Sequence, residues 1–202
     1  MVVFGITGGS GSGKTSVSKM LEKLGVHIID TDVIAHEIVE PNSDCLNELV
    51  DYFGDSILND DKTLNRKKLA SIAFSDKQKT EALSNITHKY IKAEVVKDIN
   101  TTDAELVGID GAVIIGSNVE PLCEFIVSVI ADKQSRITRI KTRDNITDEQ
   151  AIQRINAQND DEFYKENSMY IIYNNGDIAQ LESDVVGLFN KIKGNKIGRA
   201  SC

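Results

Sequence analysis

The sequence predicts an α/β fold, a five-stranded parallel sheet flanked by helices, and three observations carry that prediction. The first is an apolar, β-branched run at residues 2–6 that breaks into glycine and serine. From Lys14 onward, Val17, Met20, Leu21 and Leu24 then recur at helical spacing. The second is another apolar run at residues 26–29, just after Gly25, which stands where a helix would stop. Strand, helix and strand joined so closely make a βαβ unit, whose strands must run parallel. The third is a set of later apolar runs at residues 106–109, 125–131 and 169–173, separated by segments that read as helix. Five strands with helices between them is the economical architecture.

Between the second and third strands lie roughly seventy residues without a convincing strand, too many for a simple crossover. Helical patterns occur at residues 44–53, 66–74 and 76–100. We therefore expect a helical insertion over approximately residues 57–100, placed to cover a substrate. A second insertion follows the fourth strand. There Thr147 and Gln150 have the spacing of a capping box opening a helix toward Gln158, and the preceding helix carries Arg136, Arg139, Lys141 and Arg143. Residues 1–202 are read as one domain with these elaborations, the segment of approximately 139–165 forming a lid. The tail from Lys191 to Cys202 has no pattern and is expected to fray.

Composition narrows the function. With 41% hydrophobic and 27% charged residues, the 202-residue chain buries a real core, which excludes disorder as its main state. No apolar stretch approaches the roughly 20 residues that cross a bilayer, and a cytoplasmic location is expected. Cys45, Cys123 and Cys202 are odd in number and widely spaced, so they read as buried free thiols. The net charge of −8 argues against nucleic acid or an anionic membrane as partner, since both select a positive surface. An anionic small molecule must then be captured locally.

One segment does that. Gly8-Gly9-Ser10-Gly11-Ser12-Gly13-Lys14-Thr15 satisfies G-x-x-x-x-G-K-[ST] between a strand and a helix, where a phosphate-binding P-loop needs it. Glycines let backbone N–H groups turn around phosphate oxygens, and the helix N-terminus adds favourable potential. Lys14 is expected to reach the β and γ phosphates of ATP, and the Thr15 hydroxyl to ligate Mg²⁺. The nucleotide-binding set is Gly8, Gly9, Gly11, Ser12, Gly13, Lys14, Thr15 and Ser16.

Asp30 and Asp32 follow the second strand, whose carboxyl end opens on the same sheet edge as the loop. One carboxylate can take the proton of an attacking alcohol and another can hold magnesium through water, while the alternative is that Asp32 N-caps the helix starting near Val33. Asp110, ending the third strand, reads either as a magnesium contact through water or as a turn residue. Lys133 to Arg143 holds five basic and no acidic residues. Such a helix either solvates its charge or closes over a phosphoryl group in transfer, which makes Arg139 and Arg143 catalytic candidates and Arg154 a weaker one. His27, His36 and His88 lack metal-ligand spacing. His36 follows Asp32 by four residues, on the same predicted helix face.

The paired motifs resemble a known family. Ile6 to Thr15, followed by Leu24-Gly25 and Ile29-Asp-Thr-Asp-Val-Ile-Ala-His36, is similar to the P-loop and D-x-D-x-x-A-H signature of dephospho-coenzyme A kinases. The likeness continues through Thr63-Leu-Asn-Arg66, the lid segment containing Arg139, Arg143-Asp144 and residues 151–158, and Tyr173-Asn-Asn-Gly176. The resemblance implies a P-loop kinase core with a helical acceptor-binding insertion and a lid. It implies transfer of the γ phosphate of Mg-ATP to the ribose 3′-hydroxyl of dephospho-coenzyme A, with Asp32 as general base, Arg66 and His36 toward the acceptor and Asn174 near the adenine. Three positions depart from the family pattern. Asp110-Gly-Ala-Val-Ile-Ile-Gly116 stands where P-L-L-F-E is usual, Lys89 replaces the proline after His88, and Tyr173 replaces an aspartate. Another small-molecule P-loop kinase shares every phosphate-handling residue, and an ATP-sensing module without transfer remains a reading of a different class.

Overall fold

The computed structural model describes residues 1–199, with side chains through residue 194. The sheet is all-parallel and five-stranded in the order β2-β3-β1-β4-β5. Its strands are β1 (Val2–Thr7), β2 (His27–Asp30), β3 (Leu106–Asp110), β4 (Phe125–Ile130) and β5 (Tyr170–Tyr173), each within a residue or two of its apolar run. All five residues of β3 are buried, the signature of a strand covered on both faces.

The chain divides into two compact units, one formed by Met1–Ile29 with Thr102–Cys202 and the other by Asp30–Thr101. In the first unit, α1 (Lys14–Lys23) and α9 (Ile178–Arg199) supply the core with Val17 and Leu21 and with Leu181, Val185, Leu188 and Ile192. These recur at three- and four-residue steps, one stripe per helix. They meet Phe4, Ile6, Val127 and Val129 of the sheet, where Phe4 stacks on Phe125 with centroids 5.4 Å apart. Because α9 runs on to Arg199, the expected fray does not begin at Lys191, and residues 200–202 lie outside the described part. Three further helices, α6 (Lys133–Asp144), α7 (Asp148–Asn156) and α8 (Asp161–Glu166), follow β4. The Thr147–Gln150 capping box forms in both directions, and α6 and α7 bury Ile137, Ile140, Ala151 and Ile155 together.

The second unit is helical and larger than the 57–100 segment expected. Besides α4 (Arg66–Ala73) and α5 (Lys77–Thr101) it takes in α2 (Thr31–Glu37) and α3 (Asp44–Phe53). One core explains this: Ile38, Val39, Cys45 and Leu49 bury against Ile57, Leu69, Ala73 and Ile86. Lys89 lies inside the continuous helix α5, where its ammonium pairs with Glu48 of α3 and sits 4.5 Å from the centre of the Tyr90 ring. Lysine here keeps the i to i−4 bond that a proline would remove.

Cys45 is buried and Cys123 half-buried, while Cys202 lies outside the described residues. Burial, more than neighbouring carboxylates, pushes the thiols up to about 11 and about 12. Less than about one molecule in 10² then carries thiolate at pH 8. Peptide-mapped iodoacetamide labelling of native protein at pH 8 should be at least about 10²-fold slower at both positions than for free cysteine, rising about tenfold per pH unit. Labelling at the free-cysteine rate would show these thiols to be open.

Candidate active site

β1 ends at Thr7, and the chain turns at Gly8 with φ +152°. A Cβ there would lie far inside van der Waals contact of the Val129 carbonyl on β4. Gly8→Ala should therefore lower stability by at least about 2 kcal/mol, read as a thermal midpoint about 5 °C or more below wild type. An unchanged melt would contradict this packing. Gly13, at φ +95°, N-caps α1 without any side-chain acceptor; its carbonyl accepts from Ser16 N at 2.9 Å, which leaves the amides of Lys14 and Thr15 without an intrahelical acceptor.

The loop is held from outside by its carbonyls. Arg136 Nε donates to Ser10 O at 2.9 Å. Arg139 Nη1 donates to Gly11 O and Ser12 O at 3.2 Å, and Asn174 Nδ2 to Ser12 O at 2.8 Å. In a trans peptide the C=O and the following N–H point opposite ways. Carbonyls drawn out to arginine and asparagine therefore turn the amides of Gly11 and Gly13 the other way, into an anion cradle. Ser12 Oγ is buried there without a hydrogen-bond partner among the described residues, as in a loop shaped around a ligand.

Sheet register pairs Ile6 with Asp110, which brings the end of β3 beside the start of the loop. Asp110 is only 3% exposed. Its Oδ1 pairs with the Lys14 ammonium and its Oδ2 accepts from Ser18 Oγ at 2.7 Å. Asp110 thus orients the loop lysine, which a turn residue would not do. Ser18, four residues after Lys14 on the same face of α1, was open to detection by that spacing.

The arginines of α6 and α7 divide. Arg136 is 5% exposed, so this charge on α6 is not solvated, whereas Lys133 and Arg143 are exposed. Arg139 is engaged with the loop and, through Nη2, with Asn174 O at 3.0 Å and Oδ1 at 3.3 Å. Arg143 forks onto Asp144 at 2.7 and 2.9 Å, and Arg154 binds the same carboxylate. The Arg143 guanidinium, with help from Arg154, holds Asp144 down at about 2. Asn174, 7% exposed, spends both ends of its carboxamide on the loop and Arg139. Its neighbour Asn175 accepts from Asp132 N at 2.8 Å, tying the ends of β4 and β5 together. Gln158 Oε1 accepts from Ser10 N at 2.7 Å, a contact that no local pattern announces.

In the helical unit, Asp30 rather than Asp32 caps α2. Its Oδ1 accepts from Asp32 N at 2.8 Å and Val33 N at 3.1 Å. The extended backbone at Asp30, φ −88° and ψ 106°, is what selects it as cap. Asp32 and His36 are exposed one turn apart on α2, and Arg66 is exposed at the start of α4. The departing segment after β3 buries Ile114 and exposes Val113 at 71%. Its Gly116 turns at φ +77° and donates its N–H to Glu120 Oε2 at 2.6 Å. Among the described residues no cluster of three or more His, Cys, Asp or Glu could hold a metal alone. Thr15, exposed at the N-terminus of α1, and Asp110 are nevertheless hard oxygen donors of the kind magnesium takes beside phosphate oxygens and water.

The sequence model of the dephospho-CoA kinase family matches residues 2–180. The chain belongs to the dephospho-CoA kinase family. Among its relatives, the dephospho-CoA kinase of Lactobacillus johnsonii is 34% identical over 191 residues, covering 93% of this chain and 96% of that one. That of Listeria monocytogenes serovar 1/2a is 34% identical over 195 residues, covering 95% and 98%. Among solved structures, the dephospho-CoA kinase from Campylobacter jejuni superposes with a TM-score of 0.68 at 26% identity, covering 96% of this chain and 98% of that one. A shikimate kinase from Acinetobacter baumannii, at 18% identity and TM-score 0.55 with 97% and 95% covered, shares the fold. As a kinase of the P-loop fold, this member of the family uses ATP. No described helix is long and apolar enough to cross a membrane.

Proposed function

We propose that this chain transfers the γ-phosphoryl group of ATP to the ribose 3′-hydroxyl of dephospho-coenzyme A, giving ADP and coenzyme A, the last step of coenzyme A biosynthesis. The observation that carries the reading is the amide cradle with Lys14 aligned by buried Asp110, in a chain of this family. Gly8, Gly9, Gly11, Ser12 and Gly13 shape the cradle, and Lys14, Thr15 and Ser16 at the start of α1 complete it, the first two with free amides. Arg139 and Asn174 fix it from behind. Lys14 neutralises charge on the β and γ phosphates as the bond to the bridging oxygen breaks. Thr15 and Asp110, the latter through water, would hold Mg²⁺, which supplies further charge neutralisation on those phosphates.

Asp30 is committed to capping α2, which leaves Asp32 as the carboxylate free to take the proton from the 3′-hydroxyl while its oxygen bonds to phosphorus. His36 and Arg66 are assigned to the acceptor, the unit of Asp30–Thr101 to acceptor binding, residues 139–165 to the lid and Arg143 to charge neutralisation during transfer. The same reading puts the enzyme in the cytoplasm.

The test is ADP release with Mg-ATP and a panel of dephospho-coenzyme A, adenosine, uridine, AMP and shikimate, with mass detection of the product. A phosphate gained by dephospho-coenzyme A alone is expected. Turnover confined to another acceptor would replace the substrate, and ATP binding without turnover would favour a sensor.

A further inference from the structure

Gln158 closes the turn after α7, where Ala157 N donates to Gln153 O at 3.1 Å and Gln158 N to Ile155 O at 3.2 Å. Its carboxamide oxygen accepts from the Ser10 amide at 2.7 Å and from Arg136 Nη2 at 3.4 Å. Two donors converge on one atom, so chemistry fixes which end of the amide is oxygen. The Gly9–Ser10 peptide is gripped at both ends, because Gly9 O accepts from Ser12 N at 3.0 Å. The Ser10 carbonyl is taken by the same Arg136. While the Ser10 and Ser12 carbonyls are drawn outward and the amides of Gly11 and Gly13 turned in, the Ser10 N–H is spent on a side chain. With Oε1 committed, the carboxamide has only its two N–H donors left to offer a ligand, and the arginine polarising Oε1 strengthens them. Gln158 also lines a cleft of about 200 Å³ with Thr7, Ala112, Ile115, Phe163 and Tyr164, beside the end of β1 that leads into the loop.

We infer that Gln158 is a catalytic residue whose Nε2–H donates to an oxygen of the phosphoryl group in transfer, oriented for that by Ser10 and Arg136. This rests on the reading of the loop as an ATP site. Negative charge grows and spreads on those oxygens during transfer, and a preoriented neutral donor stabilises it without drawing the anion away from Lys14.

Two variants separate donation from simple bracing of the loop. Gln158→Glu keeps an oxygen for Ser10 N–H and Arg136 but removes the N–H donors, whereas Gln158→Leu removes both. Both should lower kcat by about 10–10²-fold while leaving ADP affinity within about threefold of wild type. Both should also lose about tenfold or more of the extra affinity that wild type gains when aluminium fluoride is added to ADP. Recovery of wild-type kcat in Gln158→Glu would mean the side chain only braces the loop, and unchanged kcat in both variants would mean that it does nothing; either overturns the proposal. The fluoroaluminate measurement needs no acceptor, so a wild-type enzyme silent on dephospho-coenzyme A would count against that substrate alone.

Discussion

Lys14→Ala is expected to lower kcat/KM by about 10²–10³-fold and to weaken ATP binding as well. The ammonium pairs with the buried carboxylate at the end of β3, whose other oxygen is held by Ser18. The side chain of Lys14 is 14% exposed and that of Asp110 4%, so the substitution also breaks a buried ion pair. Breaking such a pair costs on the order of 3 kcal/mol. Activity and thermal melting should be measured together, at a temperature where the variant is folded. A folded variant with an unchanged rate would remove the loop lysine from the chemistry.

Asp32→Asn is the second large effect. A general base contributes about 10²–10⁴-fold, and kcat should fall by that much while ATP affinity stays within about threefold. The comparison that gives this meaning is Asp30→Asn. Asparagine caps helices about as well as aspartate, and its side-chain oxygen can still accept from the amides of Asp32 and Val33. Asp30→Asn should therefore keep both stability and turnover. Asp30→Ala, losing the cap, should cost about 1 kcal/mol of stability. Near-normal turnover in Asp32→Asn, or a collapse of turnover in Asp30→Asn, would reverse the assignment.

Both predictions depend on details that differ in how far they could be read from the chain alone. The motif at residues 8–15, the five strands, α3 at Asp44–Phe53 and the Thr147–Gln150 capping box were legible, because each is a local pattern of spacing, glycine or capping chemistry within a few residues. The D-x-D segment was legible as a pair of carboxylates and no further. Either aspartate suits a cap, and only the backbone conformation at Asp30 separated the helix cap from the free carboxylate.

By itself, then, the sequence determined the class of fold, the phosphate loop and the family, since these rest on short-range chemistry and paired motifs. Tertiary structure alone decided which groups meet at the loop. Lys14 and Asp110 are 96 residues apart, Arg139 and Ser12 are 127 apart, and Gln158 and Ser10 are 148 apart. It also decided that α2 and α3 share one core with α4 and α5. The physical reason is the same in each case: periodicity and capping act over one or two helical turns, whereas these contacts arise from strand order, register and the burial that packs distant segments together.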